Sequence, residues 1–150
     1  MTKPLQLADR SITRCVKIIE ELNSYARVRE LDVSEASVDD WLSSLVMEHT
    51  IPKEISCVLD LDSGVRAFFD QEKFRQVVVN LISNAIDALQ EKPAGIKQLR
   101  ISTHHIDDAY EIRLEDTGVG MSDDTLEKVF TPLFSTKNFG VGLGMGIVKN

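Results

Sequence analysis

Between Asp70 and Pro93 the chain reads DQEKFRQVVVNLISNAIDALQEKP, with neither glycine nor proline before Pro93. Phe74, Val78, Leu81, Ile82, Ala85 and Leu89 recur at helical spacing, so one long amphipathic helix over about Asp70 to Gln90 is predicted. Such a helix needs a sheet or other helices to cover its apolar stripe. Asn80, Asn84, Asp87 and Glu91 lie along another face. Asparagine is a mediocre helix former and costly to bury unpaired, so this second face should open on water or a ligand.

The surrounding segments supply the cover. ISCVLDLD and VRAFF read as strands separated by the turn signal Ser63-Gly64, and they are expected to pair with each other. QLRISTHHID and AYEIRLED read as a hairpin, with Tyr110, Ile112 and Leu114 alternating with polar residues. Upstream, Asp39 or Asp40 is expected to cap a helix through WLSSLVMEH that Pro52 ends, after a polar break at VRELDVSEAS. Ile12, Cys15, Ile19, Leu22 and Ala26 follow a 3-4-3-4 spacing, which suits either a partner helix or a helix folded back on the domain. The 43% hydrophobic and 27% charged residues in 150 are the composition of one domain with a sizeable core.

Charge narrows the partners. A formal net charge of -7 without a basic stripe argues against nucleic acid. Cys15 and Cys57 are isolated, so two buried thiols in a reducing cytoplasm are expected rather than zinc or a redox pair. No apolar run approaches the roughly 18 residues that would span a bilayer.

Downstream the sequence becomes rich in glycine. Asp116-Thr117-Gly118-Val119-Gly120 puts a carboxylate at a strand end beside two glycines that let backbone approach a ligand. Gly140, Gly142, Gly144 and Gly146 lead into Ile147 and Val148, where backbone N–H groups at a helix start suit phosphate. Each element alone is weak. In order, Asn80 and Asn84 on a helix, then DTGVG, then FTPLFSTK, then Gly140-x-Gly142-Leu143-Gly144, they resemble the ATP-binding domain of the GHKL superfamily, and within it that of sensor histidine kinases.

That resemblance implies a two-layer α/β sandwich of the GHKL (Bergerat) type, a mixed sheet with helices on one face. It implies residues 1–30 as the end of the second dimerisation and phosphoacceptor helix and 31–150 as the catalytic domain, stopping before the strands that complete the family's sheet. ATP and Mg2+ are the implied cofactors. Asn84 would be the magnesium ligand through its amide oxygen, and Asn80 would hold waters or phosphate as the catalytic position. Asp116 would accept the adenine amino group, helped by Thr117, with Gly118 and Gly120 shaping the loop. Residues Met121 to Phe139 would be the mobile lid, opened by a short helix capped by Ser122 and carrying Phe130 and Phe134 as docking groups. Lys137, Gly140, Gly142, Leu143 and Gly144 would face the phosphates.

Departures from the pattern sharpen the reading. Relatives that hydrolyse ATP, such as gyrase and the heat-shock chaperones, place a water-activating glutamate where this chain has Asn80. Transfer to a protein side chain is therefore favoured over hydrolysis, the alternatives being such an ATPase or a regulatory ATP-binding module. Asp87 stands where many relatives carry a basic residue. His49, His104 and His105 are the only histidines, none in the family's phosphoacceptor setting. The resemblance thus implies a homodimeric, cytoplasmic kinase domain whose phosphoacceptor helix belongs to the same protein or its dimer mate. The response regulator, and any membrane attachment of the parent, would be matters for the full-length protein.

Overall fold

The computed structural model describes Ile12, Val16, Ile19 and residues 30–62, 64–107, 109–137, 142 and 144–149. Two compact units divide the chain: Leu31–Met121, and Met1–Glu30 together with Ser122–Asn150.

In the first unit the order is β1 (Val33–Ser37), α1 (Val38–Glu48), β2 (Ser56–Leu61), β3 (Arg66–Asp70), α2 (Gln71–Glu91), β4 (Gln98–Ile106) and β5 (Ala109–Asp116). A three-stranded mixed sheet has the order β2-β4-β5, with β2 parallel to β4 and β5 antiparallel to it. β1 and β3 form a separate antiparallel pair. The predicted hairpin is β4–β5, closed by a turn in which Asp107 takes a φ of 51°.

The core lies where α1 and α2 meet the three-stranded sheet. Leu42 and Leu45 of α1, Ile82 and Leu89 of α2, and Leu99 and Ile101 of β4 are buried together. Of the predicted α2 stripe, Val78, Ile82, Ala85 and Leu89 are buried, and Ile86 joins them. Phe74 and Leu81 are not part of that core. They line an apolar groove of about 350 Å³ together with Trp41, Phe69 and Ile112. Trp41, Phe69 and Phe74 meet edge to face, their ring centroids 5.2 to 6.1 Å apart.

Several expectations are corrected. β2 and β3 do not pair with each other. The turn between them is tied elsewhere: Gly64 N donates to Asp39 Oδ2 at 2.9 Å, Val38 N to Val65 O at 3.0 Å and Asp62 N to Thr103 Oγ1 at 3.2 Å. These bonds hold the turn on α1 and β4, so β3 leaves β2 for β1. The polar break contains β1, a strand because β3 offers it a ladder that local propensity could not announce. The cap of α1 is Ser37, whose hydroxyl accepts from Asp40 N at 3.3 Å. Asp39, freed from that task, accepts from Thr103 Oγ1 at 2.8 Å as well as from the turn. α1 ends at Glu48, with His49 N bonded to Val46 O at 3.2 Å, before Pro52 is reached.

Ile12, Val16 and Ile19 are helical and exposed. Cys15, Leu22 and Ala26 lie outside the described residues. Cys57 is half-buried rather than buried, and that burial raises its thiol pKa above the usual value. Among the described residues no helix is long and apolar enough to cross a membrane.

In the second unit, Ser122 caps the short helix α3 (Asp123–Lys128), its hydroxyl accepting from Thr125 N, as the sequence predicts. α4 spans Gly144–Lys149.

Candidate functional site

α2 carries the first half of the site. Its N-terminus is set by Asp70, whose carboxylate accepts from Lys73 N and from Asp32 N, each at 3.0 Å. These two bonds, in that order, hold the Asp70 pKa below its ordinary value. With Val78, Ile82 and Ala85 turned to the core, Asn80, Asn84 and Ala88 fall on one stripe at i, i+4 and i+8. Eight residues of helix span about 12 Å, long enough for an elongated ligand. Both asparagines are half-buried, and among the described residues Asn80 Nδ2 is buried without a hydrogen-bond partner. An amide orphaned in this way costs stability unless water or a ligand completes it.

The end of β5 carries the second half. In the β4–β5 register Asp116 stands opposite Leu99. Its Oδ1 accepts from Gly118 N at 2.8 Å, closing a tight turn on itself. Among the described residues its Oδ2 accepts no hydrogen bond, and the residue is exposed, so this oxygen is available as an acceptor.

Thr117 holds the loop in place. Its N donates to Gln98 O at 3.0 Å; its hydroxyl donates to Ile96 O at 2.7 Å and accepts from Gln98 N at 3.0 Å. The hydroxyl proton is thus committed within the protein, leaving one lone pair to any ligand.

What joins the halves is a close approach at Gly118. A Cβ there would lie 2.7 Å from Ala88 C, Ala88 Cβ and Asp116 Oδ1, contacts no side chain can make. Beside it Val119 N donates to Ala88 O at 3.2 Å. The loop therefore docks on the same stripe that carries Asn80 and Asn84. Gly120 follows with φ +71° and open space around it.

The Ser122–Asn150 segment is organised by backbone turns. Thr131 N donates to Lys128 O at 2.8 Å, Phe134 N to Thr131 O at 3.1 Å and Leu133 N to Gly142 O at 3.0 Å. Gly142 has φ +75°, and a Cβ on it would overlap the Phe134 carbonyl, so only glycine closes this loop. Leu133 itself takes φ 66°, an uncommon conformation for a bulky residue. Lys137 is half-buried, its backbone N donating to Ser135 Oγ at 3.1 Å. Lys149 Nζ stands 6.0 Å from the centre of the Phe130 ring, at the limit of a cation–π contact. Gly144 begins α4, while Gly140 and Leu143 lie outside the described residues.

Of the predicted site residues, the structure thus brings Asp116, Thr117 and Gly118 onto the asparagine stripe of α2. Two contributors escaped the sequence reading. Ala88 looks like any small helix residue, and only the glycine facing it reveals its part. Lys92 reads as the close of the helix, yet its ammonium reaches Thr117 O at 2.5 Å and Ile96 O at 3.2 Å.

His104 and His105 sit in β4, as expected. His104 Nε2 is 2.9 Å from Ser102 Oγ, and His105 packs on Tyr110 with ring centroids 4.7 Å apart.

Comparison with known proteins accords with this architecture. A family model described as histidine kinase-, DNA gyrase B-, and HSP90-like ATPase matches residues 69–150. The chain belongs to this family. It is 31% identical to the sensor kinase CckA of Brucella abortus (strain 2308), over 92% of this chain and 16% of that protein. Two solved structures share the fold. Full-length ShkA in complex with AMPPNP superposes with a TM-score of 0.74 at 21% identity, over 96% of this chain and 31% of that one. Histidine kinase ThkA in complex with the response regulator protein TrrA gives 0.73 at 21% identity, over 94% and 42%. The chain spans 16% to 31% of the length of the curated relatives it matches.

Proposed function

We propose that this chain is the ATP-binding catalytic domain of a sensor histidine kinase, which transfers the γ-phosphoryl group of ATP to a histidine outside residues 1–150. The observation that carries the reading is the docking of the Asp116–Val119 loop on Ala88, in line with Asn84 and the orphaned amide of Asn80. One elongated polar strip then offers a base acceptor at one end and two amides at the other.

Each end has its task. Asp116 Oδ2 accepts the adenine amino group, and as an acceptor-only carboxylate it repels the O6 of guanine. Asn84 supplies a neutral oxygen for Mg2+, and Asn80 holds water or phosphate beside it; the partnerless Nδ2 fits a group that arrives with the ligand. When bound, Mg2+ neutralises charge on the β- and γ-phosphates. Lys137 and the loop of Gly140, Gly142, Leu143 and Gly144 serve the phosphate end. With an amide at position 80 no carboxylate is there to activate water, so transfer prevails over hydrolysis.

The wider assignments follow the relatives. Residues 1–30 form the end of a dimerisation helix and residues 31–150 the catalytic domain of a homodimeric, cytoplasmic kinase. Its phosphoryl group passes to a phosphoacceptor helix and then to a response regulator, the kind of partner with which ThkA forms its complex.

The test is phosphorylation of the full-length protein with γ-labelled ATP and Mg2+. Acid-labile, base-stable label on histidine, abolished in Asn84→Ala, is the expected result. Steady release of inorganic phosphate without labelling of protein would favour the ATPase class instead.

A further inference from the structure

We infer that Lys92 is a positioning residue for base recognition, holding the peptide that sets the Asp116 carboxylate. The inference rests on the nucleotide reading above and deepens it.

Lys92 is the residue on which α2 ends, and its half-buried side chain turns back over the 93–96 loop. Gly95, at φ +102°, gives the loop a turn that suits glycine, and the Lys92 stem passes it at ordinary van der Waals distance, 3.5 Å from where a Cβ would lie to Lys92 Cε. The ammonium donates to two main-chain carbonyls, Thr117 O at 2.5 Å and Ile96 O at 3.2 Å. Ile96 O also accepts from Thr117 Oγ1 at 2.7 Å, using both lone pairs of one carbonyl. A closed ring of hydrogen bonds results, running from Lys92 through Ile96 to Thr117 and back.

One peptide unit makes this ring matter. The group between Thr117 and Gly118 has its C=O held by Lys92 Nζ and its N–H held by Asp116 Oδ1 at 2.8 Å. A peptide is planar, so its two ends turn together. Releasing the carbonyl lets the plane rotate, and the N–H then no longer aims at Asp116. The carboxylate loses its orienting donor, and Oδ2 loses its fixed direction. A charged donor at the carboxyl end of a helix is also favoured by the helix dipole, so Lys92 has reason to stay where it is.

Nucleotide titration of the full-length protein tests this with Lys92→Met, which keeps the stem and removes the donors. ATP and ADP affinity should each fall about five- to tenfold, the worth of one ordinary hydrogen bond, while the midpoint of thermal unfolding stays put. The preference for ATP over GTP should narrow, and Lys92→Arg should restore part of both. In a double-mutant cycle, Asp116→Asn should cost less in the Lys92→Met background than in wild type. Unchanged affinity in Lys92→Met, or full additivity in the cycle, would overturn the positioning role and leave the nucleotide reading intact. A wild-type protein without affinity for ATP would overturn both.

Discussion

Every buried apolar side chain among the described residues lies between Leu42 and Ile101, whereas within Ser122–Lys149 only Gly146 is buried. In that later segment Leu126, Phe130 and Leu133 are all exposed. The two regions also differ in how they are bonded. Leu31–Met121 has strand ladders and long-range ties such as Asp39 to Thr103, while bonds such as Thr131 N to Lys128 O and Phe134 N to Thr131 O close local turns in Ser122–Lys149. Burial is what makes opening costly, so the first region should unfold with the whole molecule and the second at a fraction of that free energy.

The largest effect that distinguishes the two is in the core. Ile82→Ala, at a fully buried position, should lower unfolding free energy by about 2 to 5 kcal/mol, and Leu126→Ala by less than about 0.5 kcal/mol. Urea unfolding followed by far-ultraviolet dichroism measures both. Comparable losses would mean that α3 is as integral to the cooperative unit as α2.

Asp116→Asn should reverse that pattern by sparing the fold and damaging binding. Loss of a charge-assisted hydrogen bond is worth about 1.5 to 3 kcal/mol, or roughly one to two decades in ATP affinity. ADP should suffer equally, since it shares the base. Calorimetric titration of both nucleotides decides, and an ATP-specific loss would move Asp116 to the phosphate end.

Two glycines probe the contrast at the level of backbone. Gly118→Ala forces a Cβ into Ala88 within the firm region, so global stability should drop by about 1 to 3 kcal/mol. Gly142→Ala is as poorly accommodated, yet its strain should be relieved by local opening. Hydrogen exchange of the Leu133 amide, bonded to Gly142 O, should speed up while the melting midpoint holds. A large fall in that midpoint would show the second region to be coupled to global unfolding after all.

The smallest effect is a pH dependence at the start of α2. Because Asp70 has its pKa lowered in the folded chain, its contribution to stability is present above the ordinary value of 3.8 and is lost as pH falls through the lower folded value. Asp70→Asn should therefore flatten the acid limb of a plot of melting midpoint against pH and leave the neutral region nearly unchanged. An identical acid limb in wild type and variant would remove Asp70 from the linkage.

α2 and the β4–β5 hairpin were legible because their signals are local. The stripe from Val78 to Leu89 and the alternation through Ile112 and Leu114 are both written within a few residues of where they act. Ser122 is another such case. β1 was not legible, since VSEAS is polar and short and becomes a strand only beside β3. At the site the glycine and asparagine boxes marked where chemistry could sit, because few other folds need those residue types in that order. Neither Ala88 nor Lys92 carries a comparable mark.

By itself, then, the sequence determined the long helix, its polar face, the hairpin and the ordered boxes. Tertiary structure alone decided that β2 joins β4 rather than β3, that Asp39 ties a turn instead of capping a helix, and that Gly118 meets Ala88. The physical reason is one of range. Periodicity and capping are satisfied by neighbours along the chain, whereas strand partners, orphaned amides and lysine anchors depend on groups that only folding brings within hydrogen-bond reach.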